Sequence, residues 1–325
     1  MFILTVAALL GASLLGSMTY VYRFRGTARY DTLSQYLRKG WPVFSPLNCL
    51  LYLFTRPHAR VATPDLGGFP ELAPLRENWR VIRDEVLELY RNRHFETCRD
   101  PRSSAYYDVG FRTFYKYGWS KFYLQWYGYT HASAQALCPQ TVALLAAIPS
   151  VNGAMFSVLP PGSQLTRHAD PLACSLRYHL GLATPNADSC FISVDGQPYA
   201  WRDGEAFLFD ETRLHFARND SDQPRLILMC DVERPMSLAG RLINYAYKGL
   251  ASLTVVPNLP GDRRGLANRV FAALMPALAR SKALKQSHRR TYKLLKYTVN
   301  SLLALLITGS ALGVIHLVRE LLPSL

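Results

Sequence analysis

The sequence has no C-x-x-C pair, no HExxH motif, no internal repeat and no low-complexity tract. The first absence leaves zinc ribbons and thiol redox motifs without support, although six cysteines (Cys49, Cys98, Cys138, Cys174, Cys190 and Cys230) are scattered along the chain. The second removes the helical zinc-hydrolase arrangement. Acid is scarce as well: 23 Asp and Glu stand against 37 Lys and Arg, a formal charge of +14. So basic a chain invites a nucleic-acid reading, yet neither a recognition-helix pattern nor an RNA-binding signature is present. Charge itself is missing from residues 1–22 and, with His316 counted neutral, from residues 297–318.

Each uncharged stretch is long enough to cross a bilayer as a helix. Arg23, Arg25 and Arg29 follow the first, and ten Lys or Arg with no Asp or Glu occupy residues 263–296 before the second. A cleaved leader carries its basic residues ahead of the apolar run, so this order favours an uncleaved anchor. The positive-inside rule then puts the middle of the chain in the cytoplasm. The expected organisation is an N-terminal transmembrane helix at 1–22, a juxtamembrane connector at 23–64 and a cytoplasmic catalytic domain at 65–236. A basic juxtamembrane segment at 237–296 and a C-terminal transmembrane helix at 297–318 complete a two-pass protein. Its basic flanks suit an anionic membrane surface, and a cytoplasmic body keeps the six thiols free.

Between the two ends the patterning changes twice. Leu72, Leu75, Trp79, Ile82, Val86 and Leu89 recur at three- and four-residue steps, which predicts an amphipathic helix from Phe69 to Tyr90. Residues 105–130 are dense in aromatics, a feature of core packing more often than of a ligand cage, and Ala132–Ala147 reads as a second helix. After Gly153 come short segments rich in β-formers: Ala154–Leu159, Ser175–Leu182, Cys190–Val194, Glu205–Phe209, Leu214–Arg218 and Arg225–Val232. Asp195-Gly196 and Asp203-Gly204 supply tight turns. The predicted class is mainly β, a double-stranded β-helix (jelly-roll) core at about 150–236 with flanking α-helices and one transmembrane helix at each end.

Within this β region, His168-Ala169-Asp170 puts an imidazole and a carboxylate two residues apart, on one face of a strand. That spacing alone is weak evidence. His215, 45 residues after Asp170, adds a second imidazole. Two histidines and one carboxylate on a β scaffold compose the facial triad that holds ferrous iron and leaves adjacent positions open. Arg225 follows ten residues later, on the next predicted strand. A planar guanidinium suits bidentate capture of a carboxylate, here that of a 2-oxo acid co-substrate; a structural pair with Asp231 or Asp222 is the alternative. Arg177 and His179, again two apart, are candidates for co-substrate binding or support of the metal, against a buried ion pair with Asp210 or Glu205.

These motifs, in this order, resemble the aspartyl/asparaginyl β-hydroxylase family. The resemblance rests on His168-Ala169-Asp170, Leu176-Arg177-Tyr178-His179-Leu180-Gly181-Leu182, Trp201-Arg202-Asp203-Gly204-Glu205, Phe209-Asp210-Glu211-Thr212, His215, and Arg225 leading into Asp231-Val232-Glu233-Arg234-Pro235. It implies an Fe(II)- and 2-oxoglutarate-dependent dioxygenase using His168, Asp170 and His215 for iron and Arg225, Arg177 and His179 for the co-substrate. The retained Asp170 departs from the animal peptide hydroxylases, which have Gly there, and is similar to the branch of lipid A 2-hydroxylases of Gram-negative bacteria. That branch implies hydroxylation at C2 of a fatty acyl chain of lipid A, with dioxygen consumed, at a bacterial inner membrane. Hydroxylation of Asp or Asn in a peptide is the alternative.

Overall fold

The computed structural model describes residues 2–298 and Ser301, apart from positions 104, 107, 109 and 111–117. The chain divides into two compact units, Met1–Arg269 and Val270–Leu325. The first contains the candidate site.

Among the described residues, ten strands form two antiparallel sheets. β1 (Ser120–Trp126), β2 (Tyr129–Thr130), β3 (Val151–Leu159), β4 (Gln164–His168) and β5 (Ser175–Ala183) come first, then β6 (Cys190–Val194), β7 (Gln197–Ala200), β8 (Ala206–Phe209), β9 (His215–Asn219) and β10 (Arg225–Glu233). The larger sheet runs β2-β1-β3-β10-β5-β8 and the smaller β4-β9-β6-β7. Period-two alternation gives the larger sheet two different faces. Leu226, Leu228, Cys230 and Val232 of β10 join Leu176, Tyr178, Leu180 and Leu182 of β5 in one core. That core also takes Leu75 from α4 (Ala73–Glu77), Ile82, Val86 and Leu89 from α5 (Trp79–Arg91) and Leu145 from α7 (Pro139–Ala146). On the opposite face, Ile227 and Met229 pack with Ile192, Val194 and Ala217 of the smaller sheet. Arg225, Arg177, His179 and Asp231 alternate onto that second face, so the chemistry-bearing side chains lie between the sheets.

The loops make this closeness possible. Asp195 (φ 51°) and Gly196 (φ 92°) turn β6 into β7, the primed-turn geometry the Asp-Gly pair predicts. A side chain at Gly181 would meet the Arg202 carbonyl, which passes directly over β5. The predicted Phe69–Tyr90 helix is broken: a 3-10 turn (Pro70–Leu72) and α4 precede Asn78, and α5 follows it. The predicted Ala132–Ala147 helix splits at Cys138 into α6 (Ala132–Leu137) and α7 (Pro139–Ala146), because Pro139 supplies no N–H to continue the first piece. β1 emerges from the aromatic stretch, with Phe122, Tyr123 and Leu124 buried, as core packing requires. Tyr107, Phe111, Phe114, Tyr115 and Tyr117 of that stretch lie outside the described residues. All six cysteines are free thiols.

Two expectations are overturned. The chain is not mainly β: helix outweighs strand, 47% against 22%, because segments on both sides of the strand region fold as helices. Nor does the described chain contain a membrane span. α1 (Phe2–Arg23) is helical, but among the described residues no helix is long and apolar enough to cross a membrane. Within α1 the hydroxyls of Ser17 and Thr19 fold back to donate to the carbonyls of Ser13, Leu14 and Leu15. The two-pass inner-membrane placement is corrected accordingly; the 297–318 stretch it also relied on lies almost wholly outside the described residues.

Candidate metal centre and carboxylate pocket

His168 ends β4 and His215 begins β9, and the two are register partners in the ladder joining these strands. Their rings lie 4.2 Å apart at 52°. Asp170, just past the end of β4, is held by its amide, which donates to the Glu211 carbonyl at 2.8 Å. One ligand atom from each of His168, Asp170 and His215 falls within 4.8 Å of the others. The Nδ1 atoms of His168 and His215 sit 2.8 and 2.9 Å from the carbonyls of Thr166 and Arg213. A carbonyl only accepts, so both protons are on Nδ1 and both Nε2 lone pairs remain available, the tautomer a metal ligand needs. Burial pushes His168 down to about 4, and burial with the neighbouring His168 pushes His215 down to about 4. Both rings are therefore neutral at pH 7. Two neutral imidazoles and one carboxylate fit ferrous iron.

Arg177 stands behind the carboxylate. Its Nη2 is 3.1 Å from Asp170, its Nε donates to Glu211 at 2.7 Å, and its Nη1 lies 3.1 Å from Asp231. Asp231 is its register partner across the β5–β10 ladder. Ser175 Oγ donates to Glu211 at 2.6 Å, and Tyr127 Oη donates to Asp231 at 3.2 Å. Burial raises Asp231 to about 6 and raises Glu211 as well. Three carboxylates thus surround one guanidinium. The partners considered from sequence, Asp210 and Glu205, are not among them: Asp210 is bound by Arg234 at 2.7 Å and Arg25 at 2.5 Å.

Arg225 presents the opposite situation. It is wholly buried, yet no carboxylate among the described residues pairs with it. Trp201 and Trp119 lie 4.4 and 5.0 Å from its guanidinium carbon, and Nη2 reaches Ser157 Oγ at 3.4 Å. Its Nε and Nη1 have no hydrogen-bond partner among the described residues. Burial lowers the guanidinium to about 9, which leaves it charged at neutral pH. Beside it, Trp201 Nε1 donates to His179 Nδ1 at 3.3 Å, so the His179 proton is on Nε2, and that atom is also buried without a partner. Burial, then Arg225 and Arg177, hold His179 well below its ordinary value. An unpaired buried charge costs several kcal/mol (~3–5); unpartnered donors on Arg225 and His179 make a site for an anion.

All six residues singled out from sequence lie between the two sheets. Glu211, Trp119 and Trp201 are partners that sequence reasoning missed; Asp231, considered from sequence as a partner of Arg225, pairs with Arg177 instead. Alternation along β10 puts Asp231 on the face of Arg225, and the β5–β10 ladder sets it opposite Arg177.

A sequence profile of the aspartyl/asparaginyl β-hydroxylase family matches residues 76–235, which contain every residue of this site. The ornithine lipid ester-linked acyl 2-hydroxylase of Rhizobium tropici is 32% identical over 216 residues, 65% of this chain and 73% of that protein. The human aspartyl/asparaginyl β-hydroxylase is 30% identical over 179 residues, 53% of this chain but only 22% of that protein. Human aspartate β-hydroxylase domain-containing protein 2 is 36% identical over 170 residues, 50% of this chain and 44% of that protein. On these matches the chain belongs to the aspartyl/asparaginyl β-hydroxylase family, and so to a family of hydroxylases.

Proposed function

We propose that the protein is an Fe(II)- and 2-oxoglutarate-dependent dioxygenase that hydroxylates C2 of a fatty acyl chain of a lipid. The observation that carries the co-substrate is Arg225: a buried, charged guanidinium with unpartnered N–H donors and no acid beside it. A distal carboxylate of 2-oxoglutarate would complete it, aided by Ser157 Oγ and the His179 Nε2–H. His168, Asp170 and His215 would hold the iron through two Nε2 atoms and a carboxylate oxygen. When bound, iron supplies oxidation of an unactivated C–H bond by dioxygen, coupled to conversion of 2-oxoglutarate to succinate and carbon dioxide. Arg177 keeps Asp170 oriented, and the apolar side chains between the sheets limit access of water.

The rhizobial relative's name supports an acyl chain as the group oxidised, and the sequence resemblance supports lipid A as its carrier. The identity to the human protein supports peptide Asp or Asn as a competing substrate. Mass spectrometry of lipid A and ornithine lipids from cells expressing wild-type protein or His168→Ala tests the reading. One added oxygen on an acyl chain is expected with wild type and not with the variant. If no lipid gains oxygen while a peptide does, the lipid reading is wrong. If purified protein with ferrous iron never forms succinate from 2-oxoglutarate, the oxygenase reading fails.

A further inference from the structure

Two neighbouring cavities share part of their walls, and the first of them reaches Asp170. Asp170, Ala169, Tyr30 and Leu214 wall the first; Arg60, Asp210, Arg234 and Tyr20 wall the second, which encloses about 350 Å³. Arg25, Tyr52 and Arg213 line both. Four guanidinium groups therefore face one space. Arg25 and Arg234 share the single carboxylate of Asp210. Arg213 leans on Asp195 at 3.2 Å. Arg60 binds only the carbonyls of Thr55 and Leu53, at 2.7 and 2.9 Å. Four positive groups against two negative ones leave a surplus of two, and the buried Nε atoms of Arg213 and Arg234 have no acceptor.

C2 of an acyl chain is one bond from the carbonyl that joins it to its carrier. Oxidation at C2 therefore brings the carrier's headgroup, not the far end of the tail, to the metal. A wall next to Asp170 has to receive that headgroup. We propose that the arginine-lined cavity is the headgroup subsite, binding an oxyanion (phosphate or carboxylate) of the lipid whose acyl C2 is presented to His168, Asp170 and His215. This rests on the lipid reading above. The guanidinium forks suit either oxyanion. Arg213 joins the two functions: its carbonyl accepts from His215 Nδ1–H, and its side chain lines both cavities.

The test uses purified full-length protein with ferrous iron and 2-oxoglutarate, and inorganic phosphate as probe. Calorimetry should detect phosphate binding to wild type, weakened about tenfold or more by Arg60→Gln or Arg213→Gln, the worth of one charge-assisted hydrogen bond. In lipid hydroxylation, Arg60→Gln should raise KM by a similar factor with a much smaller change in kcat, and Arg60→Lys should restore part of the loss. Phosphate should compete with the lipid. If phosphate binds without competing, the cavity holds free anions and the headgroup assignment is overturned. Unchanged KM and phosphate affinity in both variants overturn it too. Those failures leave wild-type lipid hydroxylation intact, whereas failure of the lipid reading shows as no lipid product from wild type.

Discussion

Two buried arginines on neighbouring strands of one sheet face have opposite surroundings. Arg177 of β5 is ringed by Asp170, Glu211 and Asp231; Arg225 of β10 has two tryptophans, a serine hydroxyl and no acid. The same side chain is thereby given two kinds of work. Where the counter-charges are built in, the guanidinium fixes the shape of the site and steadies a metal-facing carboxylate. Where they are left out, the proposed function gives it a carboxylate that arrives with a ligand. Burial without a partner is the mark of the second kind, since an uncompensated charge persists only where something else repays it.

Arg177→Met is the most damaging way to break this contrast. It leaves the buried Glu211 and Asp231 and the half-buried Asp170 without their cation, and thermal unfolding should show a loss of about 3–5 kcal/mol together with about 10–100-fold weaker iron binding. Arg225→Met should do the reverse to stability: the ligand-free protein stays as stable or gains about 1–4 kcal/mol. Its KM for 2-oxoglutarate should rise by the equivalent of about 2–5 kcal/mol, read from succinate formation. Equal destabilisation by both substitutions would erase the distinction. Asp231 sharpens it through pH. Its folded value, raised to about 6, lies above the unfolded carboxylate range, so the folded state binds the extra proton and stability from this group falls as pH rises from about 4 to 6. Asp231→Asn should therefore improve relative to wild type across that window, by on the order of 2–3 kcal/mol in unfolding titrations. Trp201→Phe, which keeps a ring near Arg225 but removes the donor to His179, should cost about 1 kcal/mol of 2-oxoglutarate affinity.

Sequence spacing reached the His168–Asp170–His215 cluster and Arg225, although Asp170 lies just past the end of β4 and not on the strand with His168; the ladder that brings β4 and β9 into register completes the cluster. The six predicted strands correspond to β3, β5, β6, β8, β9 and β10, whose β-branched and aromatic residues announce them. β1, β2, β4 and β7 are outside those six segments: β1 and β2 lie in or after the aromatic stretch, and β4 and β7 are mixed in character and mostly exposed or half-buried. Long-range pairing was hidden in another way. Arg25 reads as a charge flanking an apolar run, yet its guanidinium reaches Asp210, 185 residues away. No periodicity encodes such a contact; it depends on where the segment after α1 is laid against the sheets. The class was misjudged for a related reason, since short helices on both sides of the strand region carry weak patterns of their own.

β4 is an edge strand of the smaller sheet, half-exposed, with its register to β9 slipping between Leu165 and His168. A metal held by His168, Asp170 and His215 would rivet that edge to its neighbour across a gap of more than forty residues of chain. Loss of the ion would then be felt first as local opening: amides of residues 164–168 should exchange with deuterium, and nearby bonds should yield to proteases, well before the larger sheet lets go.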